Sequence, residues 1–160
     1  MRTMEQWIEA YGVSHQNPFN KGIHWICVPL IFFSLVGLLA AIPHGVLTEL
    51  VPASIAPFAH FGSLFILAGM TFFLRLSIPM SIGMLLVSVV IVGGQYALSS
   101  FQPESALMIN VVIFVVAWVG QFVGHKIEGA KPSFFEDLQF LLVGPAWLLH
   151  FVYRKVGISY

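Results

Sequence analysis

The chain has 160 residues, 58% hydrophobic and 9% charged, with zero net charge and a mean hydropathy of +0.90. A soluble domain carries about 25% charged residues, so this chain cannot cover itself in water and belongs in a bilayer. The lack of a basic stripe argues against nucleic acid as a partner, and the single cysteine, Cys27, leaves no disulfide framework.

Thr3 and Gln6 have capping-box spacing, and Met4, Trp7, Ile8 and Tyr11 follow at helical intervals. They predict a short amphipathic helix along the membrane interface, ended by Gly12. Asn17-Pro18 reads as an N-cap with proline at the first helical position. The helix restarted there carries the first span, Trp25 to Ile42. Its polar lead, with Glu5 and Glu9, separates it from a cleaved signal peptide. The ring of Pro29 displaces the carbonyl of Trp25 from the helix ladder, which predicts packed or hydrated protein there and not open lipid.

Ser54 to Leu74, Pro79 to Leu98 and Ala106 to Val123 give three further spans for a hydrocarbon core of about 30 Å. The last continues to Glu128 and stops at Gly129. Ser133 to Glu136 is another capping box, predicting a helix from Phe134 that Gly144-Pro145 interrupts. Arg2, Lys21, Arg75, Lys126 and Lys131 then share one side, the cytoplasmic one by the positive-inside rule. Arg154 and Lys155 stay on that side only if the C-terminal helix turns back. The expected fold is one all-α integral membrane domain over residues 1–160: four transmembrane helices, an N-terminal interfacial helix and a broken, re-entrant or interfacial C-terminal helix.

This topology gathers His15, His24 and His125 at one end of the bundle, with His150 joining them if the last helix returns. Ionisable groups at membrane depth are costly and usually functional, and neutral imidazole is the commonest ligand for zinc, copper and iron. Asn20 and His24 share a helix face, while Gln121, His125 and Glu128 form a polar stripe at i, i+4, i+7. Glu128 is placed either to orient a ligating ring or to ligate through oxygen. The residues alone also fit plainer readings, with solvated interfacial histidines, Glu128 paired to Lys126 or Lys131, and His44 and His60 structural. They fit two other functions as well: a non-catalytic membrane protein that binds a partner or lipid head group, and a zinc-dependent membrane hydrolase with Glu128 as general base.

The pattern Tyr11…His15-x4-Asn20-x3-His24…Pro29, with Gln121-x2-Gly124-His125-x2-Glu128-x3-Pro132 and then Gly144-Pro145, resembles the Mpo1-like family of small membrane proteins along essentially the whole chain. The resemblance implies an Fe(II)-dependent dioxygenase that shortens long-chain 2-hydroxy fatty acids by one carbon, using O₂. By matching position it implies His15, His24 and His125 as iron ligands, with His150 a further candidate and Glu128 in the catalytic set. Lys21 and Lys126 become candidate partners for the substrate carboxylate, with Asn20, Gln121 and Tyr11 close by. Trp25, Phe134, Phe135 and Trp147 would line the approach, and a fatty acyl tail would lie between the spans among membrane lipid. The compact loops suggest a bacterial inner membrane protein with its N-terminus and metal site in the cytoplasm. The pattern is compatible with an oligomer.

Overall fold

Helix α1, Met4–Gly12, starts as its capping box dictates: the Thr3 hydroxyl accepts from the Gln6 amide, and the Gln6 side chain accepts from the Thr3 amide. Helix α2, Pro18–Ala40, begins with the Asn17 side chain accepting from the amides of Phe19 and Asn20. The computed structural model describes residues 2–129 and 140–160. Among these the remaining helices are α3, Gly45–Glu49; α4, Phe61–Leu76; α5, Ile78–Phe101; α6, Ala106–Glu128; and α7, Val143–Val156, with a 3-10 turn at Ala56–Phe58. The capping box at Ser133, the helix start at Phe134, and Phe135 and Lys131 lie outside the described residues.

Three helices, α2, α5 and α6, are long and apolar enough to cross a membrane. The second expected span differs from the sequence reading. It does not begin at Ser54, because residues 54–60 form turns, and His60 caps α4 by accepting from the Ser63 amide at 3.2 Å through Nδ1. That leaves α4 with 16 residues, about 24 Å at the α-helical rise.

Helix α2 is central and touches α4, α5, α6 and α7. Its contact with α6 is close because of two glycines. A Cβ on Gly120 would lie 2.6 Å from Cys27 Sγ, and one on Gly124 would lie 2.3 Å from Asn20 Oδ1. Small residues four apart let membrane helices approach to backbone distance. At the far end Gln95 and Asn110 exchange amide hydrogen bonds of 2.8 and 3.1 Å, and Gln95 also donates to the Phe33 carbonyl at 2.8 Å. The outer faces carry exposed Leu86, Val89 and Val90 on α5 and Val112, Val115, Val116 and Val119 on α6, an exterior suited to acyl chains and not to water.

Leu142, just ahead of α7, packs where a Cβ on Gly69 would be, about 10 Å inside the bundle as measured along α4. Gly144 then lies against Tyr11 and Val28, and the Tyr153 hydroxyl donates to the Pro79 carbonyl at 2.6 Å. The segment thus begins within the bundle and climbs back to the end where α1 lies. Pro29 departs from expectation: it is exposed, and it lines an open groove between α2 and α5. Its ring faces outward, so packed protein does not surround it.

Candidate metal centre

His15 sits on the link between α1 and α2, His24 on α2 and His125 in the last turn of α6. All three are buried, with exposures of 1%, 0% and 4%. Their ligand atoms lie within 4.8 Å of one another. Ring centroids are separated by 4.2 Å for His15–His24, 5.1 Å for His15–His125 and 5.2 Å for His24–His125.

Backbone contacts fix the tautomers of two rings. His15 Nδ1 lies 2.6 Å from the Tyr11 carbonyl, and His24 Nδ1 lies 2.9 Å from the Asn20 carbonyl. A carbonyl only accepts, so each Nδ1 carries the proton and each neutral ring turns its Nε2 lone pair inward. The two Nε2 atoms are 2.8 Å apart. Two facing lone pairs at that distance repel, so the pair is held either by a proton on one ring, which then donates to the other, or by a metal cation between them. The donor set therefore suits a metal ion, with the Nδ1–H···O=C bonds orienting the ligand rings.

Glu128 is outside this cluster and holds its frame. The carboxylate accepts from the Gln16 amide at 2.7 Å, from the Asn17 amide at 2.9 Å and from Asn20 Nδ2 at 3.0 Å. It ties the end of α6 to the link that carries His15 and to the first turn of α2. The Gln16 and Asn17 amides lie just ahead of α2, whose own first amides are capped by the Asn17 side chain, and the carboxylate sits near that helix start, where negative charge is favoured. Asn20 Oδ1 and Gln121 Oε1, both buried, have no hydrogen-bond partner among the described residues.

Tyr11 stacks on His15 with centroids 4.2 Å apart and planes at 11°, and Trp147 packs against both rings at 5.3 Å. A cavity of about 800 Å³ opens beside His15, lined by Glu5, Glu9, Lys21, Trp147, His150 and Arg154 among others. Lys21 thus faces the cavity, whereas Lys126 is exposed and is not among its lining residues. His150 lines the same cavity without joining the cluster, and its Nδ1 is hydrogen-bonded to the Tyr160 hydroxyl. Burial, and secondarily Arg154, hold its imidazole below the ordinary histidine range. Tyr11 and Gln121 line a separate internal space of about 30 Å³ with Trp118 and Val28. Trp25 packs on Phe151 at 6.3 Å.

The sequence reading did not single out Arg154, Phe151 or Tyr160 as cavity residues, since no local pattern marks them. Gly120 and Gly124 carried a usable signal, the small-x3-small spacing of close helix crossings. They set the distance between α2 and α6, and with it the distance between His24 and His125.

The fold and the site define a small all-helical protein with an apolar exterior and a buried three-histidine centre at one end of the bundle. Residues 1–156 match the family described as "2-hydroxy-palmitic acid dioxygenase Mpo1-like", and the chain belongs to that family. Membership carries a dioxygenase-like role at the level of the family. No curated protein and no solved structure matches the chain.

Proposed function

We propose that this protein is an Fe(II)-dependent dioxygenase that shortens long-chain 2-hydroxy fatty acids by one carbon at the membrane interface. The observation that carries this reading is the convergence of His15, His24 and His125, with two Nε2 lone pairs turned on one point. What Fe(II) supplies when held there is chelation of the hydroxyl and carboxylate oxygens and activation of O₂. His15, His24 and His125 are the ligands, leaving His150 as a wall of the substrate cavity.

The remaining residues prepare the site. Tyr11 and Trp147 pack on the ligand rings and keep bulk water from one side of them. Among the described residues, Lys21 and Arg154 are the two cations of the cavity that a carboxylate could pair with, and Glu5 and Glu9 on α1 balance them in the resting site. Glu128 already accepts three hydrogen bonds from the His15 link and α2. It therefore acts as a positioning residue, which speaks against the hydrolase reading with Glu128 as general base. Lys21, Arg75, Lys126, Arg154 and Lys155 gather at the metal end, whereas residues 41–60 and 102–105 contain no Lys or Arg. The positive-inside rule then puts the centre on the cytoplasmic side.

The test is anaerobic purification with elemental analysis, followed by O₂ uptake with 2-hydroxypalmitate. Stoichiometric iron that is lost in both His24→Ala and His125→Ala, with uptake in the wild type alone, is the expected result. Unchanged metal content in both variants, or zinc with no O₂ uptake, overturns the reading.

A further inference from the structure

Helix α7 turns one face to the cavity beside the histidines. Trp147, His150, Phe151 and Arg154, at i, i+3, i+4 and i+7, all line it. Trp147 packs on the His15 ring at 5.3 Å, so its end of the face is the metal end, and Arg154 stands about 10 Å further along at the helical rise. His150 is one turn from Trp147. It is the first polar side chain that α7 offers to a ligand bound at the centre.

The His150 ring is held at one edge. Gly157, at φ 76°, reverses the chain after α7, and the Ile158 amide donates to the Tyr153 carbonyl at 2.9 Å. Tyr160 then packs edge-on against His150, with centroids 5.7 Å apart and planes at 84°, and its hydroxyl is hydrogen-bonded to His150 Nδ1. A phenol is a better donor than acceptor, because its oxygen lone pair is drawn into the ring, and an imidazole nitrogen with a free lone pair is a strong acceptor. Burial keeps both groups neutral. It raises the Tyr160 phenol above its ordinary value, with Glu5 adding to the effect and Arg154 opposing it, and it lowers the His150 imidazole. The phenol therefore donates, Nδ1 accepts, and the ring proton sits on Nε2.

This is the reverse of His15 and His24, whose Nδ1 atoms face carbonyls and whose Nε2 atoms carry lone pairs. A neutral ring protonated at Nε2 donates from that atom and does not ligate through it. Among the described residues nothing is hydrogen-bonded to His150 Nε2, while Lys21 and Arg154 are offset by Glu5 and Glu9. The unmatched group of the resting cavity is thus a neutral N–H donor. A 2-hydroxy acid that chelates a metal through its hydroxyl and one carboxylate oxygen brings the matching acceptor, its second carboxylate oxygen.

We propose that His150 binds the substrate, donating from Nε2 to the carboxylate oxygen that the metal leaves free, and that Tyr160 is the positioning residue that fixes its tautomer. This rests on the 2-hydroxy acid reading above and adds how the acid group is recognised.

The experiment uses the full chain in nanodiscs loaded with Zn(II), which is diamagnetic and does not activate O₂, so binding is read without turnover. Nitrogen-15 spectra, with the His150 signals assigned by their loss in His150→Gln, should show a bare Nδ1 and a protonated Nε2 whose proton shifts when 2-hydroxypalmitate is added. His150→Phe should weaken binding of tritiated 2-hydroxypalmitate about ten- to a hundredfold and leave 2-hydroxypalmitamide, which sets N–H against N–H, nearly unchanged. His150→Gln, which keeps a donor, should recover most of the loss. Tyr160→Phe should divide the ring between its two tautomers and weaken the acid about threefold, with metal content unchanged in every variant. A wild-type ring protonated at Nδ1 overturns the proposal, as does a His150→Phe variant that binds the acid normally, loses acid and amide alike, or loses the metal. If the iron-loaded wild type still consumes O₂ with 2-hydroxypalmitate in those cases, the 2-hydroxy acid reading survives. If the wild type neither binds 2-hydroxypalmitate nor consumes O₂ with it, both readings fall.

Discussion

His15 and His24 meet through their Nε2 atoms at 2.8 Å while each Nδ1 is held by a backbone carbonyl. The contact is repulsive between neutral rings and attractive around a cation, so binding of a metal ion at this point would be coupled to folding. Binding to the folded state alone stabilises it by about 2.7 kcal/mol at a hundredfold excess over Kd. A chelator should lower the Tm of the wild type, and Fe(II) should restore it. His24→Ala should lose both responses, and a chelator-sensitive Tm in that variant would contradict the assignment of His24 as a ligand.

Glu128 acts at one remove. Replacing it by Ala strips acceptors from the Gln16 and Asn17 amides and from Asn20 Nδ2. Water can replace the carboxylate at the exposed Gln16 amide, whereas Asn20 is buried, and leaving a buried donor unsatisfied costs about 1–3 kcal/mol; loss of a group that orients ligands weakens metal binding about 10–100-fold. Glu128→Ala should therefore bind iron more weakly with the same ligand-field spectrum once saturated, and Glu128→Gln should recover part of the affinity. A changed spectrum at saturation would make Glu128 a ligand.

The three histidines were legible because polar residues at the ends of apolar spans stand out, and the starts of α1 and α2 because Thr3-x2-Gln6 and Asn17-Pro18 are local cap signals. The start of α4 was hidden. Residues 54–60 are nearly as apolar as a span, and the cap is His60, a residue outside the usual N-cap set. The partners of Glu128 were hidden for another reason: two are backbone amides more than a hundred residues away, and a backbone amide leaves no mark in a sequence. Pro29 misled because proline predicts a lost hydrogen bond but not the direction in which its ring points.

The glycines of α6 give a test of geometry without touching a ligand. Gly124→Ala places a Cβ 2.3 Å from Asn20 Oδ1, and overpacking of this kind costs about 1–3 kcal/mol. Because Asn20 also donates to Glu128, the variant should lose both Tm and iron affinity. Gly93→Ala is the control, since nothing lies within 4 Å of its added Cβ, and relief of helical glycine should leave it neutral or stabilised by about 0.5–1 kcal/mol. Equal effects in thermal unfolding would show that Gly124 is not a close-approach position.

At the opposite end, Gln95→Leu leaves Asn110 and the Phe33 carbonyl without the Gln95 amide. Interhelical hydrogen bonds in membranes average about 0.6 kcal/mol by double-mutant cycles, so the single changes Gln95→Leu and Asn110→Leu should each be modestly destabilising. The double change should cost less than their sum, because neither partner is then left unsatisfied. Iron content should not move in any of the three, as the network does not reach the histidines. Strict additivity in the unfolding free energies would contradict the pairing.

His60 makes a prediction about pH. Its Nδ1 accepts from the Ser63 amide, which a ring protonated at that atom cannot do. Burial, and then the neighbouring His44, push its pKa below the ordinary value, which in an unfolded chain is about 6.5. Above both values neither state is protonated and His60 adds no slope. As pH falls through about 6.5 the unfolded chain takes up a proton that the folded chain refuses, so stability drops until the folded pKa is reached and is flat below it. Metal release also responds to acid, so the quantity to measure is the difference in unfolding free energy between the wild type and His60→Asn. Asparagine keeps an N-cap acceptor and removes the titration. The wild type should lose stability relative to His60→Asn as pH falls from 7 toward 5; a relative gain would mean that the protonated ring is the stabilising form and that the cap is not made through Nδ1.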